Sequence, residues 1–582
     1  MCGCHAAIYT AGACPQSAAL ERRLRNRGPD HQATITKYLD DSHATILALT
    51  STVLSLRGDH VAKQPLVDSS TGSVLCWNGE AWKIRGREVQ GNDAEAVMAL
   101  LSEASRSPCA VDDGGASVLR VLRDIEGPFA FIYYDEAARR LFYGRDRLGR
   151  RSLLVKAGDP FLLASVADDC AAGGWTEVEA DGVYVLQFLR GDADADADAD
   201  ADAETRQLGE YVPVRHDWVD DDSFISGIGV FNRAIPAEHS RLTKQSGVVE
   251  QLHRRLAESL RLRVQQIPVP PGAIMTATTG AAATTSDARV AVLFSGGLDC
   301  TVLARLASDL LPGDQPIDLL NVAFENPRIA SQHKGLSQDE LYELCPDRIT
   351  GRKSFAELVQ ACPLRRFRLV TVNVPFTLTS EHRTEVVELM YPHETEMDLS
   401  IAFALYFAAR GEGLCQSSVD SRQACPYKTT ARVLLSGLGA DELFGGYVRH
   451  ATAYSRRGYE GLVEELQLDV SRLGKRNLGR DDRVMAHWEK EVRFPFLDED
   501  FVRWAIGLSV EEKCDFAHPE VEGESECEGQ ALPEPGKRIL RLLAQELGMV
   551  EVAREKKRAI QFGARTAKME SGKVKGTTLI SP

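Results

Sequence analysis

The chain has 582 residues, a formal net charge of −16, and 44% hydrophobic and 26% charged residues. That length exceeds what one hydrophobic core organises and predicts two large domains, while the acidic balance argues against a general nucleic-acid surface. No apolar run nears the roughly 18 residues that span a bilayer, so no membrane partner is expected.

In chain order, short alternating apolar segments at 44–49, 73–77, 130–134 and 141–143 predict a sheet-rich domain over residues 1–215. Its strict Asp-Ala run at 192–203 reads as a solvated insertion, because like charges repel and alanines offer little to bury. From about 245 the texture changes. Apolar runs at 290–294, 319–324, 368–374 and 433–435 read as buried parallel strands, with amphipathic helices at 301–311, 355–361 and 401–409. That alternation predicts an α/β domain at 245–565, an open parallel sheet with its ligand at the carboxyl ends of the strands. A Pro-, Ala- and Thr-rich linker at 266–288 and an acidic insertion at 518–536 interrupt it, and a tail follows at 566–582. Thirteen cysteines lack a disulfide-like spacing, and the first residues lack the charged and apolar regions of an export signal. Reduced thiols and a cytoplasmic address follow.

The chemistry begins at the start of the chain. Removing Met1 would leave a cysteine whose thiol and amine belong to one residue, and an amine with a pKa of about 7.7–8.0 can take the thiol proton near neutrality. Downstream, in order, come Arg27-Gly28-Pro29-Asp30, Gln64-Pro65-Leu66, Trp77-Asn78-Gly79-Glu80, Asn92-Asp93-Ala94-Glu95, Glu126-Gly127-Pro128-Phe129 and Gly144-Arg145-Asp146-Arg147. This series resembles the class II glutamine amidotransferase domain over residues 2–185. The resemblance implies an α+β N-terminal-nucleophile fold, an αββα sandwich of two stacked antiparallel sheets between helices. It makes Cys2 the nucleophile, Asn78 and Gly79 the oxyanion holders, and Asp93 the partner of the glutamine α-ammonium, with Glu80 beside it. Read without the resemblance, Asn78-Gly79 is a hairpin turn and Asp93 a helix cap. The family's carboxylate-gripping arginine falls at position 53, which is Val53 here; Arg57 lies four residues later and needs a shifted loop to reach the same carboxylate.

The second half carries Leu293-Phe294-Ser295-Gly296-Gly297-Leu298-Asp299-Cys300 between a strand and a helix. Its glycines let backbone amides close on an anion at a helix N-terminus, and no Gly-Lys-Ser/Thr of a Walker loop follows. It resembles the pyrophosphate loop of enzymes that cleave ATP between its α and β phosphates. With the run at 436–447, Ser436-Gly437-Leu438-Gly439-Ala440-Asp441 onward, and Arg493-Phe494-Pro495-Phe496-Leu497-Asp498, it resembles the asparagine synthetase family over residues 245–565. ATP and Mg²⁺ are then implied. Leu293, Ser295, Gly296, Gly297, Asp299, Cys300, Val322, Ser436 and Gly437 would bind the nucleotide, Phe324 would flank the adenine, and Asp299 and Asp441 would hold the metal. The family's second loop has a glutamate where this chain has Leu438, which cannot exchange a proton. Lys556 or Lys557 would neutralise the leaving pyrophosphate, with Arg541 the weaker candidate.

Lesser signals weigh less. Cys2, Cys4, His5 and Cys14 fit no zinc spacing. Cys415 and Cys425 read as two separate reduced thiols. Residues 391–396 read as helix capping, with a substrate role as the alternative. The leading function is a ligase that takes glutamine, ATP and aspartate or another carboxylate; a homodimer stays open. A catalytically weak or silent regulatory protein is the rival, resting on Val53 and Leu438. Adenylation of a tRNA base is disfavoured by the missing basic stripe.

Overall fold

The computed structural model describes residues 2–10, 16–40, 42–106, 114–188, 211–236, 241–270, 287–416, 424–475, 477–518, 534–569 and 575–580. Cys14, the Asp-Ala run and most of the expected 266–288 and 518–536 segments lie outside the described residues.

Strand Gly3–Thr10 pairs antiparallel with Thr45–Val53 and Phe161–Ala164; His31–Tyr38, Leu154–Lys156 and Trp175–Glu177 complete a six-stranded sheet. A second antiparallel sheet runs in the order Val214–Asp217, Gly182–Gln187, Arg140–Arg145, Phe129–Asp135, Val74–Gly79, Leu66–Val67. Successive side chains on a strand face opposite ways, so Cys4, Ala6 and Ile8 meet Val74, Cys76, Ala130 and Ile132 between the sheets. The alternate set, Leu75, Trp77, Phe129 and Phe131, packs under helices Asp93–Ser105 and Ala116–Arg123. Helix Ala18–Arg27, capped by Ser17, covers the first sheet with Leu20 and Leu24. This is the αββα sandwich. Its last strand reaches Asp217, just past the expected boundary at 215.

In the second half, strands Phe367–Val374, Ile317–Phe324, Val290–Leu293, Val433–Leu435 and Glu491–Arg493 lie parallel in that order. They are mostly apolar because helices cover both faces, with Asp318, Asn321, Arg368, Glu491 and Arg493 as buried polar exceptions. Antiparallel strands Glu412–Gln416 and Cys425–Lys428 extend one edge. The expected helices appear as Leu298–Leu310, Pro346–Ala361 and Glu396–Arg410; the last two run longer than read. Strands succeed one another to one side of Val290–Leu293 and then reverse to the other, so a crevice opens at the carboxyl ends of the two central strands. The loops at 295–297 and 436–438 sit there. No helix among the described residues is long and apolar enough to cross a membrane.

Candidate active sites

Residue 2 is held from both sides. The Gly3 N–H donates to Thr52 Oγ1 at 3.0 Å, and Arg27 Nε donates to the Cys2 carbonyl at 3.1 Å. A Cβ on Gly3 would meet Thr52 Oγ1 at 2.6 Å, which is why glycine follows the cysteine. Cys2 shares the inter-sheet face with Cys4, whose thiol lies near Cys76; Asn78 shares that face two residues beyond Cys76. Burial pushes the Cys2 thiol up to about 11, and the nearby Glu491 and Asp93 charges add to it. His5 alternates to the opposite face, so Cys2, Cys4 and His5 form no cluster.

Asn78 is fully buried, and among the described residues neither its Nδ2 nor its Oδ1 has a hydrogen-bond partner. Gly79 closes the same strand, where a Cβ would meet the Pro128 carbonyl at 2.3 Å. The pair is therefore strand, not hairpin turn. Asp93 does not cap its helix either: Asn92 does, accepting from the Glu95 N–H at 3.2 Å. Asp93 Oδ2 instead accepts from Trp77 Nε1 at 3.0 Å and the Ala81 N–H at 2.9 Å, and burial raises its pKa against the pull of Arg57.

Arg57 joins this cluster but is taken up by it. It donates to the carbonyls of Ala81 (3.0 Å), Gly91 (3.2 Å) and Val89, and pairs with Glu80 at 3.5 Å. The expected grip on a carboxylate is thus replaced by a grip on the loop between Ala81 and Gly91. Val53 is buried at the end of its strand. Glu80 turns toward the second domain, where Arg493 Nη2 lies 3.0 Å from its Oε1. Two carboxylates share that arginine. Glu491, which also faces Arg151, is held low, whereas burial leaves Glu80 raised to about 8. The ionic chain continues from Glu491 to Arg151 at 3.3 Å, to Asp482 at 3.9 Å and to Arg27 at 2.7 Å, back to the Cys2 carbonyl. Arg493 also touches the second site, since its carbonyl accepts from the Ser436 N–H at 3.0 Å.

At that second site Gly296 adopts φ +81°, and a Cβ there would meet the Gly351 N at 2.4 Å. The loop is pressed onto helix Pro346–Ala361, with Ser354 Oγ donating to the Gly296 carbonyl at 2.6 Å. Ser295 Oγ accepts from the Gly297 N–H at 3.3 Å, and the buried Cys300 thiol donates to the Gly297 carbonyl at 3.3 Å. Gly437 lies against Asp299, whose Cβ is 2.7 Å from where a Gly437 Cβ would be. Val322 stands two residues beyond the pairing partner of Leu293, toward the carboxyl edge. Phe324 departs from expectation: it is buried edge-on against Phe407 at 5.7 Å, in core rather than beside a base.

Asp299 and Asp441 converge as expected, around a residue the sequence reading missed. Lys537 Nζ lies 2.7 and 2.8 Å from the two Asp299 oxygens and 2.9 Å from Asp441 Oδ1. Lys557 pairs with Asp441 Oδ2. Burial opposes charge on Asp441, yet the two ammoniums hold its carboxyl well below the usual range; Asp441 and Asp299 in turn raise Lys557. Lys557 is the lysine in the site, with 29% of its side chain exposed. Lys556, 84% exposed, points to Glu534 at 3.9 Å. Arg541 is buried and donates to the carbonyls of Gly536, Ala553 and Glu555 at 2.7–2.9 Å, so it braces the lysine-bearing segments instead of facing phosphate. Lys537 stands as a cation at the N-cap of helix Arg538–Glu546, against the helix dipole, and its φ of 54° is a strained conformation for lysine.

Two carboxylates at neighbouring strand ends suit a hard divalent cation. Both Asp441 oxygens face ammoniums, Oδ1 at 2.9 Å from Lys537 Nζ and Oδ2 paired with Lys557, so a cation entering here would have to displace a lysine. Leu438 is half-buried against the core and carries no proton. Of the carboxyls around Asp441 and Lys557, Glu442 is raised by burial and by Asp441, and Asp347 is pushed up to about 7 by burial against the pull of Arg558 and Lys557. Residues 391–396 do cap: Thr395 Oγ1 accepts from the Asp398 N–H at 3.2 Å.

Residues 1–211 match the glutamine amidotransferase domain family, and residues 421–463 and 454–577 match the asparagine synthase family. The asparagine synthetase domain-containing protein 1 of Bos taurus is 32% identical over 95% of this chain and 93% of its own. An asparagine synthetase domain-containing protein of Saccharomyces cerevisiae is 33% identical over 95% of this chain and 89% of its own. Among solved structures, a glutamine phosphoribosylpyrophosphate amidotransferase from B. subtilis aligns at a TM-score of 0.25 and 13% identity, covering 57% of this chain and 70% of that one. The chain belongs to the asparagine synthetase domain-containing family, in which a glutamine amidotransferase domain precedes an asparagine synthase domain.

Proposed function

We propose that the chain hydrolyses the side-chain amide of glutamine at Cys2 and passes the ammonia to a carboxylate activated with ATP at the second site. Aspartate is the acceptor its kinship suggests. Asn78 carries this reading. A buried amide with no partner among the described residues is destabilising by about 1–3 kcal/mol and is sustained where a ligand completes it; here it stands two residues along its strand from Cys76, a neighbour of the Cys4 thiol, which also neighbours Cys2.

With Met1 removed, the amine of residue 2 would take the thiol proton, a help this thiol needs because burial raises it. Sulfur attacks the amide carbon, Asn78 Nδ2 and the Gly79 N–H receive the oxyanion, and Asp93 holds the α-ammonium. The C–N bond breaks, ammonia leaves, and water releases glutamate from the thioester. At the second site an acceptor carboxylate oxygen attacks the α-phosphorus of ATP and pyrophosphate departs. The Gly296 and Gly297 amides, Lys537 and Lys557 would take up its charge. Asp299 and Asp441 would hold Mg²⁺, which supplies further positive charge to the phosphates. Ammonia then displaces AMP from the acyl carbon.

The test is glutamate release from glutamine, and aspartate-dependent pyrophosphate release, by protein whose processed N-terminus is verified by mass spectrometry. Both activities support the reading. Glutaminase alone would move the acceptor to another carboxylate. Neither would favour the second reading, a silent regulatory protein, which the engagement of Arg57 by backbone carbonyls and the proton-free Leu438 support.

A further inference from the structure

The edge hairpin of the parallel sheet places two cysteines face to face. In the antiparallel pairing of Glu412–Gln416 with Cys425–Lys428, Cys415 and Cys425 are direct register partners. Directly opposed residues share a face, with Cα atoms about 4.5–5.5 Å apart in antiparallel pairs, inside the roughly 4.4–6.8 Å a disulfide accepts. Accessibility separates this pair from the rest. Cys425 is exposed and Cys415 half-buried, whereas the other eight described cysteines are buried. Side-chain contacts hold the end of the hairpin near Lys428, and Arg352 reaches Gln416 at 2.8 Å. Lys428 pairs with Glu412 at 2.9 Å, and Tyr427 and Thr429 donate to Asp318 at 2.8 and 2.6 Å. The opposite end carries the two thiols.

We propose that Cys415 and Cys425 form a reversible cross-strand disulfide under oxidation by a low-molecular-weight disulfide, making this hairpin a redox-responsive element independent of the two candidate active sites. The exposed Cys425, as its thiolate, attacks one sulfur of oxidised glutathione and expels one glutathione thiolate. The Cys415 thiolate then attacks the Cys425 sulfur of that mixed disulfide and expels the second. Two protein thiols are oxidised, one glutathione disulfide is reduced to two thiols, and the two protons leave to solvent and the departing thiolates.

The experiment incubates the full chain with oxidised glutathione, quenches it in acid, alkylates remaining thiols with iodoacetamide and maps peptides by mass spectrometry. The expected product is one linked peptide pair joining positions 415 and 425, two hydrogens lighter than the separate peptides and lost on adding dithiothreitol. Cys415→Ser should trap Cys425 as the glutathione adduct, and Cys425→Ser should leave Cys415 alkylated. The proposal is overturned if wild-type Cys425 accumulates as the glutathione adduct beside an alkylated Cys415. It is equally overturned if both stay alkylated, or if Cys425 links to a different cysteine.

Discussion

The two candidate sites are built on opposite electrostatic plans. Near Cys2 one group that would meet a ligand is left bare: the Asn78 amide is buried with both polar atoms unpartnered among the described residues. Around Asp299 and Asp441 the charges already satisfy one another, through Lys537 and Lys557. The difference follows from what each would bind. A single oxyanion that develops during reaction is best met by fixed donors already in place. A polyanion with its cation can enter a pre-neutralised cradle and trade partners one for one, so that no buried charge is left alone at any stage.

The largest effect separates the two sites. Cys2→Ala should remove glutamine hydrolysis entirely while ammonia-dependent pyrophosphate release continues; loss of both would show that the sites are not two. Asn78→Ala comes next. It should lower glutaminase turnover on the order of 10²–10³-fold, as loss of one oxyanion donor does. Thermal stability should hold or rise, because an orphaned buried amide is removed. A fall in Tm without a selective fall in turnover would make Asn78 structural and erase the contrast.

Lys537 tests the other half. Lys537→Met leaves the part-buried Asp299 without its ammonium beside Asp441, which keeps Lys557, a loss of at most about 3–5 kcal/mol by analogy with broken buried pairs. Added Mg²⁺ should recover part of that in the variant. In the wild type, Mg²⁺ alone should leave Tm unmoved and Mg²⁺ with ATP should raise it. A wild type stabilised equally by Mg²⁺ alone would mean that the ammonium does not hold the site. Lys556→Met, at an exposed side chain, is the control and should change stability by no more than about 0.5 kcal/mol.

What the sequence disclosed divides along the same line. Cys2, Asn78 and Asp93 were readable as candidates because each sits in a local motif; so were Asp299 and Asp441, each at the start of a helix that follows a central strand. Lys537 was not, because it follows an acidic insertion and gains its role only by folding back 238 residues to Asp299. The Glu80–Arg493 pair bridges 413 residues and two domains. No periodicity reports a contact that packing between domains sets. Arg57 shows the converse limit. Its candidacy for the glutamine carboxylate was readable from its place four residues after Val53, while the backbone carbonyls that occupy it depend on how the loop between Ala81 and Gly91 closes.

The smallest effect lies where the two plans meet. Glu80 belongs to the first site but is paired from the second, and burial raises its carboxyl from 4.5 to about 8. A folded-state pKa above the unfolded one means that the folded chain keeps this proton longer. The stability it contributes is complete below about 4.5 and is lost as pH rises toward 8. Chemical denaturation across that window should show a downward slope of at most about 1.4 kcal/mol per pH unit from this group. Glu80→Gln, which keeps a hydrogen-bonding oxygen toward Arg493 without the titration, should flatten that component. If the slope were unchanged in the variant, Glu80 would be ionised throughout in the fold. The bridge between the sites would then be a full ion pair, and the amide site would be as neutralised as the phosphate site, against the contrast drawn between them.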